Sequence, residues 1–405
     1  MKKLLLIVYC HVRWQSNYCR EFYHALAKEL EGQGQVFCID RPLALLPDIV
    51  RRPAELMMAL WKTRTVRVSS NLTLYRPVIL LHDQIALSMR VMSRLNRWLV
   101  RRQMLKRFGA FFADSGVFTY VVEPYQHDYV KIFDNEISVY DCIAEWASYP
   151  GLSDNEQEKK RLFENKTVNA VDIVFTVSQE LHDRRKKMKE AVYYLPWAAE
   201  YGHFSRARGF CGCEDLLEHR APYIGFIGNI WGIFDIGLVR HIAESLRDCS
   251  VILIGGLADR LPGGFREKFE EVCRMGNVHW LGYKDHDTLP DYIHHFDVCV
   301  MTYVIGDWTR TCCPAKFYQY LAQGKPVVSV DIPEVSKYDD EDIVKIADGS
   351  ADFVRKILLS FKEGRAEELM LKRRKVAAEN SWQRRASCML EILRNTDHRN
   401  DGERP

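Results

Sequence analysis

Short runs of β-branched and aliphatic residues recur along the chain, separated by longer amphipathic stretches. In the first half these runs are LLLIVYC (4–10), QVFCID (35–40), FTYVV (118–122), ISVYDC (137–142), DIVFTVS (172–178) and AVYYLP (191–196). A strand that reads as a continuous apolar run is buried on both faces, and alternation with helical segments such as 18–31 and 155–170 predicts a parallel sheet covered by helices. A second series begins after a Gly-, Cys- and charge-rich stretch at 205–220. It runs YIGFIGN (223–229), SVILIGG (250–256), NVHWLG (277–282), DVCVMTY (297–303) and PVVSVD (326–331). The restart predicts an α/β chain of two doubly wound, Rossmann-like domains, 1–205 and 206–380. The helical stretch at 381–393 comes too late for the second repeat and is expected to cross back onto the first domain, ahead of a flexible tail. Ligands of such sheets bind beyond the carboxyl ends of the strands, so the loops after these runs are where chemistry is expected.

Length and composition agree with this picture. The 405 residues are 47% hydrophobic and 27% charged, which excludes a disordered chain and exceeds what one core organises. The opening MKKLLLIVYC passes directly into His11, Arg13 and Trp14, which reads as a buried strand rather than a leader. No run approaches the ~18 apolar residues of a spanning helix, so a cytoplasmic protein is expected. Twelve cysteines are scattered without a CxxC pair, a pattern of free thiols rather than of a metal centre.

Charge changes the picture in one place. Net charge is +3, yet residues 51–107 hold thirteen Lys or Arg against Glu55 and Asp83. Within this region Arg90, Arg94, Arg97 and Arg101 recur at helical spacing, with Val91, Met92, Leu95, Trp98 and Leu99 between them. A cationic stripe beside an apolar face suits docking on an anionic membrane surface; the alternative is the solvated side of a core helix. Nucleic acid is not expected as a partner, because no recognition motif accompanies the charge.

The sharpest local signal is PAKFYQYLAQGKPVVSVD (314–331). Pro314 suits the first turn of a helix, Gly324 its end, and a buried strand follows. The N-terminus of a helix presents free N–H groups and a positive dipole end, suited to a diphosphate, and Lys316 adds a formal charge where the dipole disfavours one. The bland reading is a surface lysine tolerated by water.

This segment, with YIGFIGNIW (223–231) before it and NVHWLGYKDHDTLPDYIHHFDVCVMTYV (277–304) between, resembles the C-terminal domain of family 4-type bacterial glycosyltransferases. YDCIAEWASYPG (140–151), DIVFTVSQEL (172–181) and YYLPWAAEYGHF (193–204) extend the resemblance over most of the chain, towards the transferases of teichuronic acid and exopolysaccharide assembly. The resemblance implies a GT-B fold, two Rossmann-like domains facing a cleft, with a nucleoside-diphosphate sugar held mainly by the C-terminal domain. The acceptor, lipid-linked or a growing oligosaccharide, would be held mainly by the N-terminal one. It implies that Lys316 neutralises the departing diphosphate, which requires no metal or other cofactor. Gly228, Asn229 and Trp231 would line the phosphates and Tyr283 and Lys284 the base, while Asp235, Tyr303 and Pro314 join the donor-binding set. Relatives carry glutamates where this chain has Thr311 and Gln319. Gln319 can still hydrogen-bond a ribose hydroxyl but brings no charge, which leaves open whether transfer retains or inverts the anomeric centre.

Other residues carry candidate chemistry. Asp141 and Glu145, at and beyond the end of a strand, suit a base toward an acceptor hydroxyl, or equally a helix cap and first turn. Arg13, Trp14 and Asn17 follow the first strand, where the resemblance places an acceptor-facing loop. Asp285, His286 and Asp287 form a DxD triplet, which holds a metal in single-domain transferases; here the two-series pattern favours a solvated loop. Two other functions stay open: a catalytically silent GT-B protein that binds a glycan or a partner, and a nucleotide-sugar 2-epimerase.

Overall fold

The computed structural model describes residues 3–10, 14, 19–46, 53–54, 57, 65–86, 89–113, 115–134, 136–206, 213–340, 342–363 and 366–402. The chain forms two compact units. One comprises Met1–Ala147, Asp154–Leu195 and Gln383–Pro405; the other comprises Ser148–Ser153 and Pro196–Trp382. The division therefore falls at Leu195/Pro196, ahead of the expected 205–220, and six residues of an early connector join the second unit. Composition marked the charge-rich stretch as a boundary, but the chain changes unit just after the strand Val192–Tyr194.

In the first unit the strands are β1 (Lys3–Tyr9), β2 (Gly34–Ile39), β3 (Leu43–Ala44), β4 (Thr65–Arg67), β5 (Leu72–Tyr75), β6 (Val78–Ile79), β7 (Ser115–Val121), β8 (Ile137–Cys142), β9 (Ile173–Thr176) and β10 (Val192–Tyr194). Eight of them form one sheet in the order β10-β9-β8-β7-β1-β2-β5-β4, and β3 pairs with β6 apart from it. Only β4 runs antiparallel, against β5. From Leu4 onward β1 is wholly buried, as a central parallel strand must be. β4 and β5 correspond to no expected run: both are short and partly exposed, so the apolar pattern did not mark them.

The second unit holds β11 (Tyr223–Ile227), β12 (Ser250–Ile254), β13 (Val278–Trp280), β14 (Val298–Met301), β15 (Val327–Ser329) and β16 (Lys345–Ile346). They form a parallel sheet in the order β13-β12-β11-β14-β15-β16. The order reverses between β11 and β14, and their carboxyl ends are where such a sheet opens a crevice.

The C-terminal helix, Trp382–Gly402, belongs to the first unit from Gln383 onward. Ala386, Met389, Leu390 and Leu393 are buried, spaced as one helical face. A buried ion pair adds to this packing: Arg385 donates through Nη2 to both carboxylate oxygens of Asp141, at 2.8 and 2.9 Å.

Candidate nucleotide-sugar site

Lys316 is the second residue of the Ala315–Ala322 helix, whose N-cap is Pro314. Its ammonium sits over two aromatic rings, 4.9 Å from the centre of Phe226 in β11 and 5.2 Å from that of Tyr303 just beyond β14. Those strands flank the reversal of the sheet, so the lysine reaches the crevice that topology predicts. Among the described residues no carboxylate pairs with it. Burial pushes its pKa down to about 8, because an ammonium withdrawn from water without an anion is disfavoured. Ring quadrupoles compensate only in part. A half-buried cation with no counter-ion among the described residues, at a helix N-terminus, is an electrostatic arrangement that an anion completes.

The backbone around it is built for close approach. Gly228 has φ +146° and Gly255 φ +147°, conformations that favour glycine. A Cβ at Gly228 would strike the Lys316 ammonium, and one at Gly255 the Gly228 carbonyl. The loop is fixed by Gly228 N–H donating to the Ile254 carbonyl at 2.8 Å and Ile230 N–H to that of Gly256 at 2.9 Å. Asn229 is exposed beside it. Trp231 stacks on Tyr149 at 4.9 Å and meets Trp308 edge-on at 5.8 Å, so its indole packs within an aromatic cluster. Gln319, one turn beyond Lys316, is half-buried and makes no side-chain hydrogen bond to a described residue. Tyr283 is 71% exposed.

Other expected site residues have structural partners instead. Asp235 caps the Ile236–Ser245 helix, accepting from Leu238 N–H at 2.8 Å. Lys284 is paired with Asp215 at 2.6 Å, and Asp215 also accepts from the Tyr292 hydroxyl at 2.7 Å. Thr311 is fully buried and donates to the carbonyls of Asp307 and Trp308, closing the Asp307–Arg310 helix.

In the first unit both expected base residues are engaged. Asp141 is 2% exposed; besides Arg385 it accepts from the Tyr120 hydroxyl. Glu145 is ion-paired with Arg184 and Arg185, and Arg185 also reaches the buried Glu164 at 2.8 Å. Neither carboxylate is placed to accept a proton from a substrate, because each balances a buried guanidinium. The Trp14 backbone N–H donates to Asp40 Oδ1 at 3.0 Å, and its ring packs on Tyr23; Arg13 and Asn17 lie outside the described residues. A carboxylate not anticipated from sequence is Glu123, just past β7, whose neighbour β1 marks the order reversal of this sheet. Burial pushes its pKa up to about 7. Its signal in the sequence was faint, a single acid after FTYVV.

On the Arg90–Phe112 helix the buried stripe is Asn96, Val100, Met104 and Phe108. Arg101 pairs with Asp134 at 2.8 Å, whereas Arg90 and Arg94 are exposed. Val91, Leu95 and Trp98 are not core residues: they are 65%, 38% and 52% exposed. No helix among the described residues is long and apolar enough to cross a membrane.

Residues 221–362 match the family described as Glycosyl transferases group 1. A Bacillus subtilis (strain 168) protein described as a teichuronic acid biosynthesis glycosyltransferase, TuaH, is 26% identical over 255 residues, which is 60% of this chain and 63% of that protein's length. Over nearly the whole chain the fold is similar to sucrose-phosphate synthase from Thermosynechococcus elongatus (TM-score 0.70, 15% identity, 98% of this chain and 100% of that one). It is also similar to Anabaena HepE in complex with UDP (TM-score 0.64, 10% identity, 97% and 100%). Residues 221–362 are thus similar to group 1 glycosyl transferases, within a chain of GT-B fold.

Proposed function

We propose that the protein is a glycosyltransferase that moves a sugar from a nucleoside-diphosphate donor to a lipid-linked or growing polysaccharide acceptor in cell-surface polysaccharide assembly. The observation that carries this reading is Lys316: a half-buried ammonium over Phe226 and Tyr303, without a counter-ion among the described residues, at the N-terminus of a helix and against a glycine loop. A diphosphate supplies the missing negative charge, and its charge grows as the sugar leaves. A fixed cation therefore stabilises the transition state more than the ground state. Gln319 on the same helix face offers an amide to a ribose hydroxyl. The HepE complex with UDP on a similar fold and the TuaH relative support the donor class and the polysaccharide setting respectively. On the acceptor side Glu123, with a pKa near neutrality, suits proton removal from a hydroxyl, and the exposed Arg90–Trp98 surface suits the anionic face of a membrane carrying the acceptor.

Calorimetry with UDP on the purified protein tests the donor site. Lys316→Ala is expected to weaken UDP binding at least ~10-fold, and Glu123→Gln to leave that affinity unchanged while slowing sugar transfer. Unaltered UDP affinity in Lys316→Ala would remove the donor site from this lysine. Absence of nucleotide binding in the wild type would favour a silent glycan- or partner-binding protein.

A further inference from the structure

Away from Lys316, the second unit brings together three side chains that the donor-site reading does not use. Glu200 precedes the short Tyr201–Phe204 helix and His203 is its third residue, a spacing that puts both on one side of the turn. His286 opens the 3-10 turn His286–Thr288. One ligand atom from each lies within 4.8 Å of the others, and all three residues are half-buried. The two imidazoles are stacked, centres 4.6 Å apart and planes 12° from parallel.

Their support is that of a held ligand set. His203 Nε2 lies 3.0 Å from the His286 carbonyl oxygen, to which it donates, so Nδ1 keeps the lone pair. A second hydrogen bond that fixes tautomer and ring orientation is the usual accompaniment of a metal-ligating histidine. Phe204 packs edge-on against both rings, at 5.0 and 5.2 Å. Its own carbonyl accepts from Gln323 Nε2 at 2.6 Å, which anchors the turn to the end of the Ala315–Ala322 helix. Asp285 and Asp287, both exposed, flank His286 and make the surroundings attractive to a cation.

We propose that Glu200, His203 and His286 bind a divalent transition-metal ion, with zinc as the type. Two imidazoles and a carboxylate suit zinc, cobalt or nickel far better than magnesium or calcium, which take oxygen ligands. Water completes a tetrahedral shell. The DxD triplet thus contributes its central histidine, while its two carboxylates lie outside the ligand set. The ion ties the Glu200–Phe204 segment to the turn after β13.

The test uses the tag-free, full-length protein after chelator treatment, titrated with Zn²⁺ by calorimetry. One site is expected, weakened at least ~10-fold in His203→Ala and in His286→Ala, with Mg²⁺ giving no competition. Melting curves without metal establish that each variant is folded. Co²⁺ gives an independent reading on the wild type: d–d bands of a nitrogen–oxygen site support the proposal, whereas a thiolate charge-transfer band places the ion on cysteines and overturns it. Lack of one-site zinc binding, or equal binding by both folded variants, also overturns it. UDP affinity is expected to be the same in the histidine variants, so this result and that for Lys316 stand apart.

Discussion

Lys316 is costly where it sits. Its folded pKa of about 8 is below the ordinary 10.5, so the folded chain holds that proton less tightly than the unfolded one. The stability lost to burying the charge is therefore greatest below pH ~8 and is recovered as pH rises toward the unfolded value. Lys316→Met is expected to raise the melting temperature at pH 7, by about 1–2 kcal/mol of stability, with the gain shrinking above pH ~8. Over the same range wild-type UDP affinity should fall as the free protein loses the proton, while Lys316→Met binds weakly at every pH. Calorimetry and melting curves across pH 6.5 to 9.5, on that ~8 midpoint, check both; a destabilised variant or a flat wild-type profile would contradict the account. The sequence offered the helix, its proline and its lysine, because these are local. It did not offer Phe226 as the supporting ring, since that contact joins a strand to a helix that follows it much later in the chain.

Between elements, the fate of Asp141 shows what a linear pattern leaves out. At the end of β8 it looked like a base or a cap, but its partner Arg385 is 244 positions later, on the helix that returns to this unit. The guanidinium also lies 4.4 Å from the centre of the Phe22 ring, and both charged groups are almost completely buried. Removing one partner leaves a buried charge uncompensated, so Asp141→Asn and Arg385→Met are each expected to cost about 3–5 kcal/mol. The double substitution should cost less than the sum, because the two residues form one unit. Denaturant titrations of the four proteins measure this. Full stability in Asp141→Asn together with lost turnover would return the residue to a catalytic role. The positions of the central strands were legible from apolar runs, whereas the edge strands β4 and β5 and the exact change of unit were not, because exposed short strands carry little periodicity.

At the level of the whole molecule, one exposed surface bears on the membrane proposal. Val91, Leu95 and Trp98 follow one another at helical spacing on the solvent side of the Arg90–Phe112 helix. Arg90 and Arg94 lie among them, and Arg102 lies 5.1 Å from the centre of the Trp98 ring. Sequence spacing anticipated the arginines but left open which face the apolar residues would occupy; a core helix would have buried them. Instead Asn96, Val100, Met104 and Phe108 take the interior, leaving an exposed mixture of indole, aliphatic and guanidinium groups. Such a face gains from both terms of membrane binding, apolar insertion at the headgroup level and attraction of about 1 kcal/mol per basic residue near an anionic surface. Co-sedimentation with phosphatidylglycerol-containing vesicles is therefore expected, declining with salt as screening shortens the reach of the charges. Trp98→Ala should weaken it at all salt concentrations, and Arg90→Gln with Arg94→Gln chiefly at low salt. Equal pelleting on neutral and anionic vesicles would show that the charges do not direct docking, and none on either would assign this face to a protein partner.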